Sequence, residues 1–325
     1  MAQSGRQNVH SWSYPRHAVF EDQLRQSNAA WFLKKGYLVN RRMPYLLADW
    51  KDWPKNIILP EVADFIVEEL ARRKDANERF PLHKYIHHGL SSQAMLFNLV
   101  GPLVVHKDLS PLKQAFSCNG INWPPEVVTP KFEVEDRAIF NEDTGQPTSI
   151  DLVLRGKEGM GSLFVEAKLV EREFGGCSVF AGGDCDGRNP AGNLTRCYLH
   201  YIGRRYWTLM DRYGFLHGPA GASPICPLAM YYQFFREVIF AIESGGDFVL
   251  LYDQRNPSFY CGSAMNERGL MPFLFTFVPE EIKPRLHSIS IQQVIAAYKE
   301  VWGCEWITEF EKKYALSNQT IPGKG

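Results

Sequence analysis

Apolar residues recur along this 325-residue chain in two rhythms, one of three to four positions and one of two. The first rhythm predicts helices. From Phe20 to about Leu38 the run FEDQLRQSNAAWFLKKGYLV has helical spacing, and Gly36 ends it. Trp50, Trp53, Pro54 and Pro60 mark an irregular connection, after which residues 61–79, EVADFIVEELARRKDANER, read as an amphipathic helix. Ser91 or Ser92 caps a helix over 91–100 with Met95, Leu96, Leu99 and Val100 on its apolar side, and Gly101-Pro102 stops it. After Cys226-Pro227, LAMYYQFFREVIFAIESGG forms a strong helix closed by Gly245, and DFVLLYD follows as a buried strand. Two further helices fall at about 291–302 and 305–315. Residues 1–20 are polar and read as a poorly ordered stretch or an arm.

The second rhythm is clearest from Thr148 to Lys168, TSIDLVLRGKEGMGSLFVEAK. The runs IDLVL and SLFVEA flank the polar turn KEGMG, which predicts a β-hairpin with a loop longer than two residues. Residues two apart on a strand share a face. Glu166 and Lys168 therefore project together, Ala167 packs the other way with Leu163 and Val165, and the hairpin returns Asp151 toward Glu166. Upstream, Glu133 and Glu135 alternate with Phe132 and Val134 as in another strand. With a helix–strand unit beside the hairpin, the class is α/β. No internal repeat and no linker interrupts the chain. One continuous globular unit is expected, with 1–80 as an N-terminal helical extension and 81–325 as the domain that carries the hairpin.

Two carboxylates converging with one ammonium at the end of a sheet need a cation to offset their charge. Hard oxygen ligands suit Mg²⁺ or Mn²⁺, and Lys168, with a pKa lowered by the nearby metal and by partial burial, would suit proton transfer. The plainer reading is a surface ion pair between Glu166 and Lys168, a contribution of roughly 0–1 kcal/mol. Asp151 followed by Glu166-Ala167-Lys168 on the next strand resembles the PD-(D/E)XK nuclease superfamily, although Pro147 stands four residues before Asp151 rather than directly before it. SSQAMLFNLVGPL at 91–103 and MYYQFFRE at 230–237 extend the likeness to a bacterial branch of that superfamily.

The resemblance implies a restriction-endonuclease-like core, a central mixed β-sheet flanked by helices, that hydrolyses phosphodiester bonds in DNA. It places the metal on Asp151, Glu166 and the main-chain carbonyl of Ala167, and has Lys168 assist the attacking water. Glu133 stands as a further acidic group, Gln233 as a residue near the metal, and Gln93 as a residue that reaches the site or the substrate. A module that keeps this fold and binds nucleic acid without cutting is the alternative.

Lysine plus arginine equal aspartate plus glutamate, 36 each, so a basic surface, if present, must be local. Arg204, Arg205, Tyr206 and Trp207 suit base stacking and phosphate pairing, as they also suit an aromatic core rimmed by arginines. Arg236 lies three residues beyond Gln233 on the same helical face, within reach of a phosphate. Residues 171–193 form a glycine-rich loop without P-loop spacing. Cys177, Cys185, Cys197 and His200, spaced C-x7-C-x11-C-x2-H, offer ligands for Zn²⁺ or an iron–sulfur cluster; ordinary buried thiols are the other reading. No apolar run reaches the roughly 18 residues of a membrane span, and the N-terminus lacks an apolar signal region. Seven scattered cysteines do not make a secreted disulfide framework. A cytoplasmic protein is expected, working on nucleic acid and compatible with a homodimer.

Overall fold

A computed structural model of the chain describes residues 14–126, 128–157, 161–262, 267–303 and 305–316. The period-two segments become strands. β1 (Thr129–Glu135), β2 (Ser149–Arg155) and β3 (Leu163–Lys168) form an antiparallel meander, with Leu152 opposite Val165 in the hairpin. The tip residues 158–160 lie outside the described residues. β4 (Asp247–Tyr252) and β5 (Leu286–Ser290) add in parallel to give the order β1-β2-β3-β4-β5. Parallel strands are covered on both faces, which is why β4 reads as an uninterrupted apolar run. β5, LHSIS, is too short and too polar to stand out in the sequence.

Helices cover both faces of this mixed sheet, in agreement with the expected fold class. On one face Leu163, Val165 and Ala167 of β3 share a core with α1 (Tyr14–Lys34), α2 (Pro60–Asp75) and α3 (Ser92–Val105). The same core takes in α4 (Ser110–Cys118) and, near the C-terminus, α6 (Ile291–Val301) and α7 (Glu305–Lys313). On the other face Val153, Phe164, Phe248 and Leu250 pack against α5 (Pro227–Glu243). Leu163, Val165 and Ala167 point one way and Phe164 the other, as the alternation requires.

Several boundaries differ from the sequence reading; α2, read over 61–79, ends at Asp75, and α1 ends at Lys34 rather than near Leu38. α1 starts at Tyr14 rather than Phe20, so only residues 1–13 of the expected polar arm remain, and they lie outside the described residues. Gly101-Pro102 does not stop α3, which runs to Val105. Glycine at 101 lets α3 approach α2, since a Cβ there would stand 2.4 Å from Val62 Cγ1. Proline in a helix interior costs about 3 kcal/mol, and the complete burial of Leu99 and Leu103 around it offsets that loss. Among the described residues no helix is long and apolar enough to cross a membrane.

Candidate active site

The site begins with an irregularity in the sheet. Phe132 pairs with Leu152 and Val134 with Ile150, but the intervening Glu133 and Asp151 are not paired, and Glu133 has φ +50. Phe132 and Leu152 pack on the α3 side, whereas Val134 and Ile150 pack on the α5 side. A regular strand would put residues two apart on one face. Both strands therefore turn over at the two carboxylates. A buried arginine holds the turnover: Arg73 of α2 donates to the carbonyls of Glu133 (2.9 Å) and Phe132 (2.5 Å), and Glu69 fixes its Nε at 2.8 Å. A left-handed non-glycine residue costs about 1–2 kcal/mol, which these charge-assisted bonds outweigh.

The β2–β3 pairing ends at Leu152 and Val165, and the freed main chain is used by a side chain: Ala167 N–H donates to Asp151 Oδ2 at 2.8 Å. Glu166 and Lys168, alternate residues of β3, are both buried. Lys168 Nζ donates to Glu166 Oε1 (2.7 Å) and to Gln233 Oε1 (2.9 Å), and Gln233 Nε2 donates back to Glu166 Oε1 (2.8 Å). Gln233 thus clamps the Glu166–Lys168 pair from α5. One helical turn on, Glu237 is buried, and its Oε2 finds no hydrogen-bond partner among the described residues. On the other flank Glu133 accepts from Gln93 Nε2 (2.6 Å) and Ser149 Oγ (3.1 Å).

Charge is out of balance here. Three buried carboxylates, Glu133, Glu166 and Glu237, and the half-buried Asp151 share one buried ammonium, Lys168. Burial, then the neighbouring Glu166 and Glu133, pushes Asp151 well above its ordinary pKa. Burial and then Glu166 do the same to Glu237, and burial foremost raises Glu133 to about 7. The lowered Lys168 pKa expected from a nearby metal and partial burial is not what the protein's own groups give. Burial does work in that direction, but Glu166, Glu237, Glu171 and Asp151 together outweigh it and raise the value.

This donor set fits a hard divalent cation. It is all oxygen, it is over-supplied with negative charge, and one carboxylate oxygen is unpartnered. Among the described residues no group of three or more His, Cys, Asp and Glu side chains forms a ready metal cage. The fit rests on two strand carboxylates and a main-chain carbonyl, the sparse protein ligation that suits a well-hydrated ion.

Other residues singled out in the sequence are already engaged within the fold. Besides Glu133, the Gln93 amide serves Pro81 O and His83 N–H, so it holds Glu133 in place. Arg204 is buried and bonds Asn141 O, Asp143 and both oxygens of Thr144. Arg205 is half-buried at the start of a short helix, and its main-chain N–H donates to Phe140 O. Arg236 donates to Thr148 Oγ1 and Glu142 Oε1, both at 2.8 Å, and lies 4.5 Å from the Tyr232 ring centroid. The Arg204 and Arg236 side chains brace the segment that leads into β2. Cys177, Cys185 and Cys197 line one cavity, but His200 is not among its walls; Cys226 is.

Two contributors were not picked out in the sequence. Glu237 sits four residues after Gln233, so helical spacing marks it as a charged residue on a face already assigned to the site. Arg73 gives no local signal, because its partners lie about sixty residues away. A family model described as Restriction Endonuclease associating with ARP matches residues 23–315. No curated protein and no solved structure matches the chain.

Proposed function

The chain belongs to the restriction-endonuclease family described as associating with ARP, and from that premise we propose that this nuclease is divalent-metal-dependent and hydrolyses phosphodiester bonds of DNA at Asp151, Glu166 and Lys168. The observation that carries the reading is the excess of buried carboxylate around a single ammonium at the end of β2 and β3. Asp151, Glu166 and the Ala167 carbonyl would hold Mg²⁺ or Mn²⁺. When bound, the ion supplies neutralisation of phosphoryl charge and a water acidified toward neutral pH.

The chain's own groups do the rest. Asp151 is oriented by the Ala167 N–H, and Glu166 by Lys168 and Gln233. Lys168, held cationic by its acidic neighbours, donates hydrogen bonds to the attacking water or to the developing phosphorane oxygens. Gln233 keeps the ammonium from folding fully onto Glu166 by sharing it. Glu133, anchored by Gln93 and Ser149, adds negative potential behind Asp151. A chain with equal numbers of acidic and basic residues has little general attraction for nucleic acid, so association with a partner, which the family description names as ARP, belongs to the proposal.

The test is cleavage of linear, circular and single-stranded DNA with Mg²⁺ or Mn²⁺, against an EDTA control. Asp151→Ala, Glu166→Ala and Lys168→Ala should each lower turnover by about 10²-fold or more while the circular dichroism spectrum stays unchanged. Unchanged turnover in all three purified variants would sink the assignment. Calorimetric uptake of Mn²⁺ with no cleavage of any substrate would point instead to the non-cutting binder.

A further inference from the structure

The glycine-rich loop that leaves β3 returns to the start of α5, and a cavity of about 270 Å³ lies between them. Two main-chain bonds tie it to the candidate active site. Cys177 N–H donates to Ala229 O at 3.1 Å, and Gln233 N–H donates to Gly175 O at 2.9 Å. Cys177 and Ala229 are in the cavity wall, whereas Gln233, four residues on, clamps Glu166 and Lys168. Glycine at 176 permits this close packing, since a Cβ there would stand 2.5 Å from Ala229 O.

The lining is aromatic and soft. Phe180, Tyr198 and Trp207 supply rings, and four cysteines supply thiols. Among the described residues these side chains do not come together as a metal cage. Cys226, pushed up to about 12 first of all by burial, is an uncharged part of the wall, and a neutral thiol behaves as a small polarisable hydrophobe. Gly187, at φ +73, makes room for one ring: a Cβ there would stand 2.6 Å from Phe180 Cε2.

The charged groups are at the rim. Arg188 and Arg196 are exposed members of the wall, and so are Asp184 and Asp186. Two cations balanced by two carboxylates make a poor site for a bare anion. They suit a ligand that carries both a phosphate and a hydrogen-bond donor. Tyr198 is 56 % exposed, and Tyr201 of the same short helix, Tyr198–Tyr201, is 79 % exposed. Aromatic faces left in water beside arginines are what a stacking surface for bases requires.

We propose that this cavity takes one nucleobase of the substrate strand, unstacked from its neighbours. Tyr198 stacks beside it, Arg188 and Arg196 meet the flanking phosphates, and Asp184 and Asp186 accept from an exocyclic amino group. The proposal rests on the DNA-cleaving reading of Asp151, Glu166 and Lys168. The volume falls just under the roughly 300–1,000 Å³ of sites for drug-sized ligands, so one ring system fits and an extended chain does not. Stacking on the protein's rings offsets the loss of stacking in the strand. Because Ala229 and Gln233 are close on α5, the base belongs to a nucleotide near the phosphate at Lys168. The pocket thereby sets where in the strand the cut falls.

The cavity carries its own reporters. Cys185 and Cys197 are half-buried in its wall, whereas Cys118 is exposed elsewhere. Iodoacetamide labelling of the full-length protein, read peptide by peptide by mass spectrometry, should be slowed at Cys185 and Cys197 by a DNA oligonucleotide and unchanged at Cys118. Asp151→Ala, which leaves the DNA uncut, should be protected like the parent. A single strand should protect better than a duplex, because no unpairing opposes entry. A strand of abasic sites should not protect. Tyr198→Ala, a change at an exposed position, should raise the DNA concentration for half-protection about tenfold, the loss of one base–aromatic stack, with the circular dichroism spectrum unchanged. Equal slowing at Cys118, or equal protection by the abasic strand, would mean a strand lying across the surface and would overturn the proposal. Protection by free deoxynucleoside monophosphates with none by DNA would overturn it in favour of a nucleotide-binding pocket. Cleavage by the parent without protection of Cys185 and Cys197 would reject the pocket and leave the nuclease reading standing. Protection by DNA without cleavage under any metal would keep the pocket and reject the nuclease.

Discussion

Glu133 shows how much one residue depends on side chains it never meets in sequence. Its left-handed backbone and its neighbour's carbonyl are held by Arg73, and Arg73 is in turn held by Glu69. The bidentate Arg72 pair first, and then Arg73, lower the Glu69 carboxyl from 4.5 to about 2 against the opposing effect of burial. The folded chain therefore prefers the charged form of Glu69 more strongly than the unfolded chain does. Its contribution to stability is complete above pH 4.5 and is lost as the pH falls toward 2. Glu69→Gln should be less stable at neutral pH and should lose less stability than the parent between those two values, measured by denaturant unfolding at a series of pH values. Superimposable acid limbs would remove Glu69 from this role.

At the level of elements, the contact between α2 and α3 sets the distance from Arg73 to the sheet. Gly101 is the point of closest approach, and Val62 is the residue it meets. Gly101→Ala should destabilise the protein by about 1–3 kcal/mol through overpacking, despite alanine's better helix propensity. Val62→Ala opens the space that the new methyl needs. In a double-mutant cycle read by chemical denaturation, the double variant should be more stable than the two single effects summed. Strict additivity would show that the two helices do not meet there. The hairpin makes the complementary point. Its strands and the shared face of Glu166 and Lys168 are local consequences of a period-two pattern, and the structure has them as read.

Across the whole molecule, the N-terminal helices are not a separable layer. Phe20 and Leu24 of α1 and Val62 and Ile66 of α2 lie in the same core as β3. Asn98 of α3 accepts from Ile58 N–H and donates to Asn56 O and Tyr314 Oη, joining three distant parts of the chain around one amide. Asn28 of α1 donates to Lys313 O in α7. We therefore propose that residues 1–80 and 81–325, distinguished on the sequence, unfold as one unit. Calorimetry of the full chain should give a single transition, and 81–325 expressed alone should lack a cooperative one. A cooperatively folded 81–325 fragment would establish two independent domains.

The sequence by itself determined whatever depends on near neighbours: the hairpin, the long helices, and the candidate triad Asp151, Glu166 and Lys168 with Gln233 one strand–helix unit away. Hydrophobic period and cap residues act within a few positions, so they can be read without the fold. Five things were decided only by tertiary structure. Gly101-Pro102 continued a helix because packing on both sides outweighed the local penalty. Gln93, Arg204 and Arg236 acquired internal partners far away along the chain, and Lys168 rose in pKa because four acidic groups surround it. Cys226 joined the other cysteines, and Arg73 came to brace Glu133, through contacts between remote segments. Burial and charge are sums over everything within reach in space, and spacing along the chain does not fix that sum.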